Sequence, residues 1–172
     1  MNQLLNDLLM IARAESGKLE FAPEILNLES YCQQLIEEVQ FSFDHSSSID
    51  LAVSGNCQKV YIDPQLLRTI LTNVLSNAIK YSAPEPHVIL RLTCCSHEII
   101  LQVQDNGIGI PDQDQNQLYS AFYRGNNVGN IVGTGLGLSV VQACLQLHQG
   151  TLSCKSRVGQ GTTFEIILPR ID

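Results

Sequence analysis

Four runs of alternating apolar and polar residues, arranged as two close pairs, constrain the fold of this chain more than any other feature. HVILRLTCC (87–95) and EIILQVQD (98–105) are separated only by Ser96–His97, and TLSCKS (151–156) and TTFEIILP (162–169) only by RVGQG. A period of two residues is typical of strands, and connections this short join antiparallel neighbours. Because the strands come mostly as hairpins, a sheet that also carries helices is expected to be mixed rather than doubly wound.

Three helices are predicted beside these strands. Asp63 is an N-cap followed by proline at the first helical position, and the helix extends to about Tyr81. A second helix covers LESYCQQLIEEVQFSF (28–43), and a third covers LGLSVVQACLQLHQG (136–150), closed by Gly150. SIDLAVSG (48–55) and KVYID (59–63) are predicted as two further short strands. The fold class is therefore α/β, a two-layer sandwich of a mixed sheet and about three helices.

Residues 1–18 are predicted to be a helix that does not belong to this sandwich. Leu4, Leu5, Leu8 and Leu9 recur at helical spacing, and Gly17 stands where a C-cap is expected. The helix begins without a capping residue, and its apolar stripe needs another surface, so we interpret it as a truncated helix whose partner lies upstream. KLEFAPEILNL (18–28) predicts an edge strand or an extended linker, because Pro23 interrupts it. The domain proper is predicted to span 19–172.

Composition excludes several classes of protein. A net charge of −7 repels phosphate backbones, so nucleic acid is not an expected partner. No run of eighteen apolar residues is present that would cross a membrane. The six cysteines form no CxxC pair and follow no secretory signal, so we expect buried thiols in a reducing cytoplasm. They are Cys32, Cys57, Cys94, Cys95, Cys144 and Cys154.

The strand 98–105 ends in a carboxylate that points inward. By the two-residue period, Asp105 shares a face with the apolar residues Ile99, Leu101 and Val103. An ionised carboxylate buried without donors is costly, so a ligand amine is a candidate partner. Gly107 and Gly109 follow in DNGIGI and leave room for a flat group to approach the backbone. A hairpin end capped by an Asx turn is the alternative explanation.

A polar stripe adjoins the apolar face of the helix that begins at Pro64. Asn73, Asn77, Lys80 and Tyr81 in NVLSNAIKYS lie at i, i+4, i+7 and i+8. Amide oxygens suit Mg²⁺, an ammonium suits phosphate, and an aromatic ring suits a base. A solvated helix face would explain the same stripe without any ligand.

Three glycine-rich or basic motifs follow. GTGLGL (133–138) opens a helix, where exposed backbone N–H groups attract phosphate, although a simple glycine hinge has the same composition. FYR (122–124) lies in the long segment 106–134, which lacks sustained periodicity and is therefore expected to be a functional lid or disordered. GQGTTF (159–164) turns the last hairpin at the same end of the sheet.

The five motifs, in this order, resemble the N, G1, F, G2 and G3 boxes of sensor histidine kinases. The resemblance covers roughly residues 20–170 and implies the Bergerat ATP-binding fold, with ATP and Mg²⁺ as cofactors. It implies that Asp105 accepts a hydrogen bond from the adenine amino group, with Gly107, Gly109 and Ile110 beside the base and Thr162 in the network around Asp105. Tyr81 would pack by the adenine.

The resemblance also implies roles at the phosphate end. Asn77 would coordinate Mg²⁺ with Asn73 in support, Lys80 would contact phosphate, and Arg124 would assist the γ-phosphate. The G2 segment would wrap the phosphates through Gly133, Thr134, Gly135, Leu136 and Gly137. Asn73, Lys80 and Arg124 are thus the candidate catalytic residues.

Phosphoryl transfer in this family needs an acceptor histidine on an upstream helix. SHEII (96–100) imitates the acceptor motif but occupies a hairpin turn and lacks the expected proline. His45, His87 and His148 lack the motif too, and no two histidines have metal-ligand spacing. The resemblance therefore implies an acceptor on a dimerisation helix outside this chain, of which residues 1–18 are a remnant.

The implied partners are that dimerisation domain and the receiver domain of a response regulator, with a homodimeric full-length protein. The implied location is cytoplasmic, in a parent that could be membrane-anchored. Two rival functions stay open: another ATPase or serine kinase of the same superfamily, against which Lys80 and the FYR motif argue, and a catalytically silent signalling module.

Overall fold

The computed structural model describes residues 3–43, 47–82 and 84–171. In chain order its elements are α1 (Gln3–Glu15), β1 (Glu24–Leu26), α2 (Leu28–Ser42), β2 (Ser48–Gly55), β3 (Val60–Ile62), α3 (Pro64–Lys80), β4 (His87–Cys94), β5 (Glu98–Asp105), α4 (Asp112–Gln115), α5 (Gly137–His148), β6 (Thr151–Arg157) and β7 (Gly161–Pro169). No helix within these ranges has the length and apolar character needed to cross a lipid bilayer.

A five-stranded sheet in the order β2-β4-β5-β7-β6 forms one layer of the domain. β2 pairs parallel with β4, while the other neighbours are antiparallel, so the predicted mixed α/β sandwich is confirmed. One face of β4 and β5 is buried in the core, and polar pairs such as Arg91–Gln104 and Gln102–Glu165 lie on the other. β1 and β3 form a separate two-stranded antiparallel sheet, so the predicted strands 48–55 and 59–63 belong to different sheets.

The helix α3 is the central element of the second layer. The Asp63 carboxylate caps it by accepting from the backbone N–H groups of Gln65 (2.9 Å) and Leu66 (3.0 Å), as predicted. The other oxygen of the same carboxylate accepts from the N–H of Ala22 at 2.7 Å. A single buried side chain therefore starts α3 and fixes the segment that precedes α2. The buried face of α3 consists of Leu66, Leu67, Ile70, Leu71, Val74, Leu75, Ala78 and Ile79.

The N-terminal helix α1 lies along α5. Met10 contacts Cys144, with 3.7 Å between the two sulfur atoms, and Phe21 packs edge-on against His148 near the end of α5. The stripe formed by Leu4, Leu5, Leu8 and Leu9 faces away from this contact and is 40–50% exposed. The boundary between 1–18 and 19–172 stays a prediction.

The C-terminal end of α5 differs from the prediction. The left-handed residue that ends the helix is Gln149 (φ 55°), not Gly150. Gly150 is needed for close packing instead, because a Cβ built there would lie 2.9 Å from the backbone carbonyl oxygen of Ile167. His148 is buried, and this burial lowers its pKa, so its imidazole favours the neutral form.

The expectation that all six cysteines are buried thiols is wrong. Cys57 and Cys94 form a disulfide with a Cα–Cα distance of 5.5 Å, and Cys95 and Cys154 are only half-buried. The bond joins the segment before β3 to the end of β4. Spacing in the sequence did not indicate it, because the two residues meet only through the pairing of β2 with β4, which places Gly55 opposite Cys94.

Reduction of this disulfide should lower the free energy of unfolding by about 3–4 kcal/mol, because the bond closes a loop of 37 residues in the unfolded chain. Urea unfolding with and without dithiothreitol measures the difference. Titration of the denatured, unreduced protein should find four thiols, and Cys95→Ser is the control that leaves the bond intact. Six thiols before reduction would contradict the bond.

Candidate functional site

A cavity of about 370 Å³ opens beside the C-terminal half of α3, the end of β5 and the segment between α4 and α5. Thirteen of the fifteen predicted site residues line it: Asn73, Asn77, Lys80, Tyr81, Asp105, Gly109, Ile110, Arg124, Gly133, Thr134, Gly135, Gly137 and Thr162. Gly107 and Leu136 do not line the wall: Gly107 packs against Tyr81 and Asp105, and Leu136 is fully buried just before α5. The structure therefore gathers all five motifs around one cavity.

Asp105 ends β5 with its side chain turned into the core, as the alternation predicts. It is 8% exposed and lines the cavity. One carboxylate oxygen, Oδ1, accepts from the N–H groups of Gly107 (2.8 Å) and Thr162 (3.1 Å). The Asx turn considered as an alternative is thus present, but it uses only that oxygen. Both backbone donors act on Oδ1, which leaves Oδ2 as an acceptor for another group.

Burial raises the pKa of Asp105, and the hydrogen bonds from Gly107 and Thr162 oppose that rise. The Ser82 hydroxyl lies close enough to favour the ionised form a little, although it makes no hydrogen bond of standard geometry within the described residues. Ser82 is buried and does not line the cavity, so its hydroxyl acts on the Asp105 carboxylate from within the protein.

The DNGIGI loop is held by the turn between β6 and β7. Gly109 has φ +71°, and a Cβ there would lie 2.0 Å from the carbonyl oxygen of Arg157, so no other residue fits. The N–H of Ile110 donates to Ser156 Oγ at 2.8 Å, and that hydroxyl also lies 2.8 Å from Thr162 Oγ1. The DNGIGI and GQGTTF motifs are therefore joined by hydrogen bonds through Ser156, although about fifty residues separate them.

At the other end of the cavity, α3 meets the start of α5. A Cβ built on Gly137 would lie 2.9 Å from Asn73 Oδ1 and 3.9 Å from Asn77 Nδ2. Asn73 donates its amide N–H to the Thr69 carbonyl at 2.9 Å, which turns its oxygen toward Gly137. The Asn77 side chain makes no hydrogen bond to any other described residue. Two amide groups and the N-terminus of α5, which no side chain caps, thus face one region.

The FYR motif lies beside the GTGLGL segment. Tyr123 and Arg124 both line the cavity, and the Arg124 guanidinium donates to the carbonyl of Ile131 within the same segment. Phe122 has a left-handed backbone, and its N–H donates to the Gly135 carbonyl at 3.0 Å. The predicted lid therefore has a defined conformation that connects directly to the GTGLGL motif.

Several residues at the site were not predicted. Gln3 and Asp7 of α1 line the cavity, and Asp7 is buried, with Oδ1 accepting from Gln3 Nε2 at 2.8 Å. No sequence signal could place α1 here, because its position depends on packing against α5. Ser82 is the last residue of NVLSNAIKYS, so its motif was found but its side chain was given no role.

None of the described histidines lies where an acceptor would be needed. His97 is in the turn between β4 and β5, as expected from the sequence, and its carbonyl accepts from the N–H of Arg170. His148 is buried, and His87, at the start of β4, is exposed beside Asp50; neither lines the cavity. His45 lies outside the described residues.

Comparisons with known proteins point to one family. A family model described as "Histidine kinase-, DNA gyrase B-, and HSP90-like ATPase" matches residues 62–172. The circadian input-output histidine kinase CikA of Synechococcus elongatus is 34% identical over 172 residues, covering 97% of this chain and 23% of that protein. The sensor histidine kinase WalK of Bacillus subtilis is 30% identical over 173 residues, covering 98% and 28%. The chain thus spans about a quarter of the length of these relatives.

Solved structures agree with these relatives. The mycobacterial sensor histidine kinase MprB superposes with a TM-score of 0.74 at 26% identity, covering 87% of this chain and 98% of that one. Full-length ShkA, crystallised in complex with AMPPNP, superposes with a TM-score of 0.84 at 25% identity, covering 97% and 35%.

Proposed function

Since the chain belongs to the family of histidine kinase-, DNA gyrase B- and HSP90-like ATPases, with sensor histidine kinases as its relatives, we propose a specific function for it. It is the ATP-binding catalytic domain of a sensor histidine kinase. It transfers the γ-phosphoryl group of ATP to a histidine on a dimerisation helix, for onward transfer to a response-regulator aspartate. The observation that carries this proposal is Asp105, which presents a carboxylate oxygen to the cavity while the protein's own donors hold the other.

The adenine end of the site is formed by Asp105 and its neighbours. Oδ2 of Asp105 accepts from the exocyclic amine, and the buried Ser82 hydroxyl beside the carboxylate favours its ionised form. Gly109 lets the base approach the backbone, and Tyr81 and Ile110 supply apolar surface on the same wall. Thr162 acts indirectly, since its N–H fixes the orientation of the Asp105 carboxylate. The N–H of Gly107, which does not line the cavity, fixes the orientation of the same carboxylate.

The residues opposite the adenine end fit a magnesium ion. Asn77 offers an amide oxygen that no described residue uses, and Asn73 supports it from the preceding turn of α3. Mg²⁺ bound with ATP supplies neutralisation of phosphate charge. Lys80 adds a positive charge on the same helix, and the segment Gly133–Gly137 brings backbone N–H groups and the N-terminus of α5 to the phosphates. Among the described residues of the wall Arg124 is the second cation, and it acts on the γ-phosphate.

Catalysis in this site rests on positioning and charge, because phosphoryl transfer requires little covalent chemistry from the protein. The acceptor is a histidine supplied by another segment or chain, since none of the described histidines reaches the cavity. A dimerisation domain and a receiver domain are the corresponding partners. In the full-length protein we expect a homodimer with this domain in the cytoplasm.

A reconstituted transfer reaction tests the proposal. The chain is mixed with a separately made dimerisation fragment that carries its histidine, together with ATP and Mg²⁺. The expected product is phosphohistidine in the fragment, which is labile to acid and stable to base. A fragment whose acceptor histidine is replaced by alanine is the control. Acid-stable phosphoserine would support the superfamily rival, and nucleotide binding without any transfer would support a silent module.

A further inference from the structure

A buried carboxylate outside the five motifs holds the lid in shape. Asp114 lies on the short helix α4 and is 2% exposed. Its Oδ1 accepts from the Tyr123 hydroxyl (2.8 Å) and from Nδ2 of Asn126 (2.8 Å), and its Oδ2 accepts from the backbone N–H of Asn126 (2.9 Å). We infer that Asp114 is a positioning residue for phosphoryl transfer, because it fixes the residues on both sides of Arg124. This inference rests on the proposed function.

The Asp114 carboxylate is stabilised by hydrogen bonds from neutral groups and not by an ion pair with any described residue. No lysine or arginine in the described part of the chain forms an ion pair with Asp114, so neutral donors of the lid carry its stabilisation. The bonds from Asn126 and Tyr123 lower its pKa, which keeps the carboxylate ionised at neutral pH. Removing this acceptor would leave three lid donors without their partner.

The hydrogen bonds of Asp114 with Tyr123 and Asn126 form a clamp, and a further hydrogen bond holds the next residue of the segment. Asn127 donates its side-chain amide to the carbonyl of Gly109 at 2.9 Å, which ties the residue after the clamp to the DNGIGI loop. Residues 123, 126 and 127 are thus held by α4 and by the loop after β5, while Arg124 leaves the backbone between them. In the structure its guanidinium donates to the Ile131 carbonyl. A backbone fixed in advance would let it turn to the phosphates at a lower entropic cost during the reaction.

The inference makes a prediction about Asp114→Asn. The variant should bind ATP within about threefold of the wild type, because Asp105 and α3 are unchanged. At saturating ATP it should transfer phosphoryl groups about 10–100-fold more slowly, because Arg124 is misplaced. Fluorescent-ATP titration and the rate of phosphohistidine formation measure the two effects. Asp112→Asn is the matched control, since Asp112 is an exposed acid on the same helix, and it should behave as the wild type.

The exchanged pair Asp114→Asn/Asn126→Asp tests the mechanism. It again places one amide opposite one carboxylate, so the rate should recover at least partly, whereas Asn126→Asp alone brings two carboxylates together and should be slow. Equal rates for Asp114→Asn and the wild type at saturating ATP would overturn the inference. A loss that only follows a reduced folded fraction, measured by circular dichroism, would also overturn it.

One measurement separates this inference from the proposed function. Amide hydrogen exchange in the nucleotide-free protein should be faster at residues 122–128 in Asp114→Asn than in the wild type or in Asp112→Asn. That result would support the clamp even if no transfer to histidine were detected, in which case only the proposed function would fail. Should Asp114→Asn not fold, Tyr123→Phe removes one of the three donors and should give a smaller effect of the same kind. Unchanged exchange in the folded variant would contradict the clamp.

Discussion

Asp105→Asn should bind a fluorescent ATP analogue about 30-fold more weakly than the wild type, a loss of roughly 2 kcal/mol. The expected loss is large because the substitution replaces Oδ2, the acceptor that faces the cavity, with an amide that donates toward the donating adenine amine. The fold should survive, since the Oδ1 of asparagine still accepts from the N–H groups of Gly107 and Thr162. Asp50→Asn, at an exposed acid on β2, is the control.

The pH dependence of binding provides an independent check on the same residue. Burial raises the pKa of Asp105, so the carboxylate becomes protonated at a higher pH than an exposed aspartate does. ATP affinity should fall as the pH drops through this raised pKa, because the protonated oxygen no longer accepts. The free energy of unfolding of the nucleotide-free protein should instead rise as the pH drops. Burial penalises the ionised carboxylate in the folded state, and protonation removes that penalty. Asp105→Asn should remove both dependences, and an affinity with unaltered pH dependence would contradict the adenine assignment.

Local signals in the sequence were sufficient for most of the fold. Asp63–Pro64 and the spacing of the α3 core residues determine the start and the buried face of that helix, because capping and periodicity act within a few residues. The two hairpins could also be predicted from local signals, because strands joined by so short a turn can pair only in the antiparallel direction. The inward position of Asp105 follows from the same two-residue period, which is why the cavity could be anticipated from the end of one strand.

Features that depend on tertiary packing could not be predicted. The disulfide between Cys57 and Cys94 requires the register of β2 against β4, and spacing alone does not determine which cysteines pair. The Asp114 clamp joins residues nine and twelve positions apart in a segment without periodicity. Asp7 reaches the cavity only because α1 lies along α5. In each case the side chain contacts residues that are distant in sequence, or it lies in a segment without periodicity, so no local pattern predicts the contact.

Asn77→Ala should lower the rate of transfer to the dimerisation fragment about 100-fold, because it removes the amide oxygen proposed to hold the metal bound to ATP. The effect is expected to be specific for the metal. Wild-type protein should bind ATP more tightly with Mg²⁺ than with excess EDTA, and in Asn77→Ala this difference should largely disappear. Calorimetric titration with and without Mg²⁺ measures it, independently of any transfer reaction.

Two further variants show whether the loss at Asn77 reflects metal binding or packing. Asn77→Asp retains an oxygen ligand at the same position and should recover part of the Mg²⁺ dependence, although its charge repels the phosphates. Asn56→Ala, in the turn before β3, should leave both the rate and the Mg²⁺ dependence unchanged. If Asn77→Ala kept the wild-type response to Mg²⁺ and lost only thermal stability, Asn77 would be a structural residue. The metal would then have to be held by other described residues of the cavity wall, where Asp7 of α1 is a carboxylate besides Asp105.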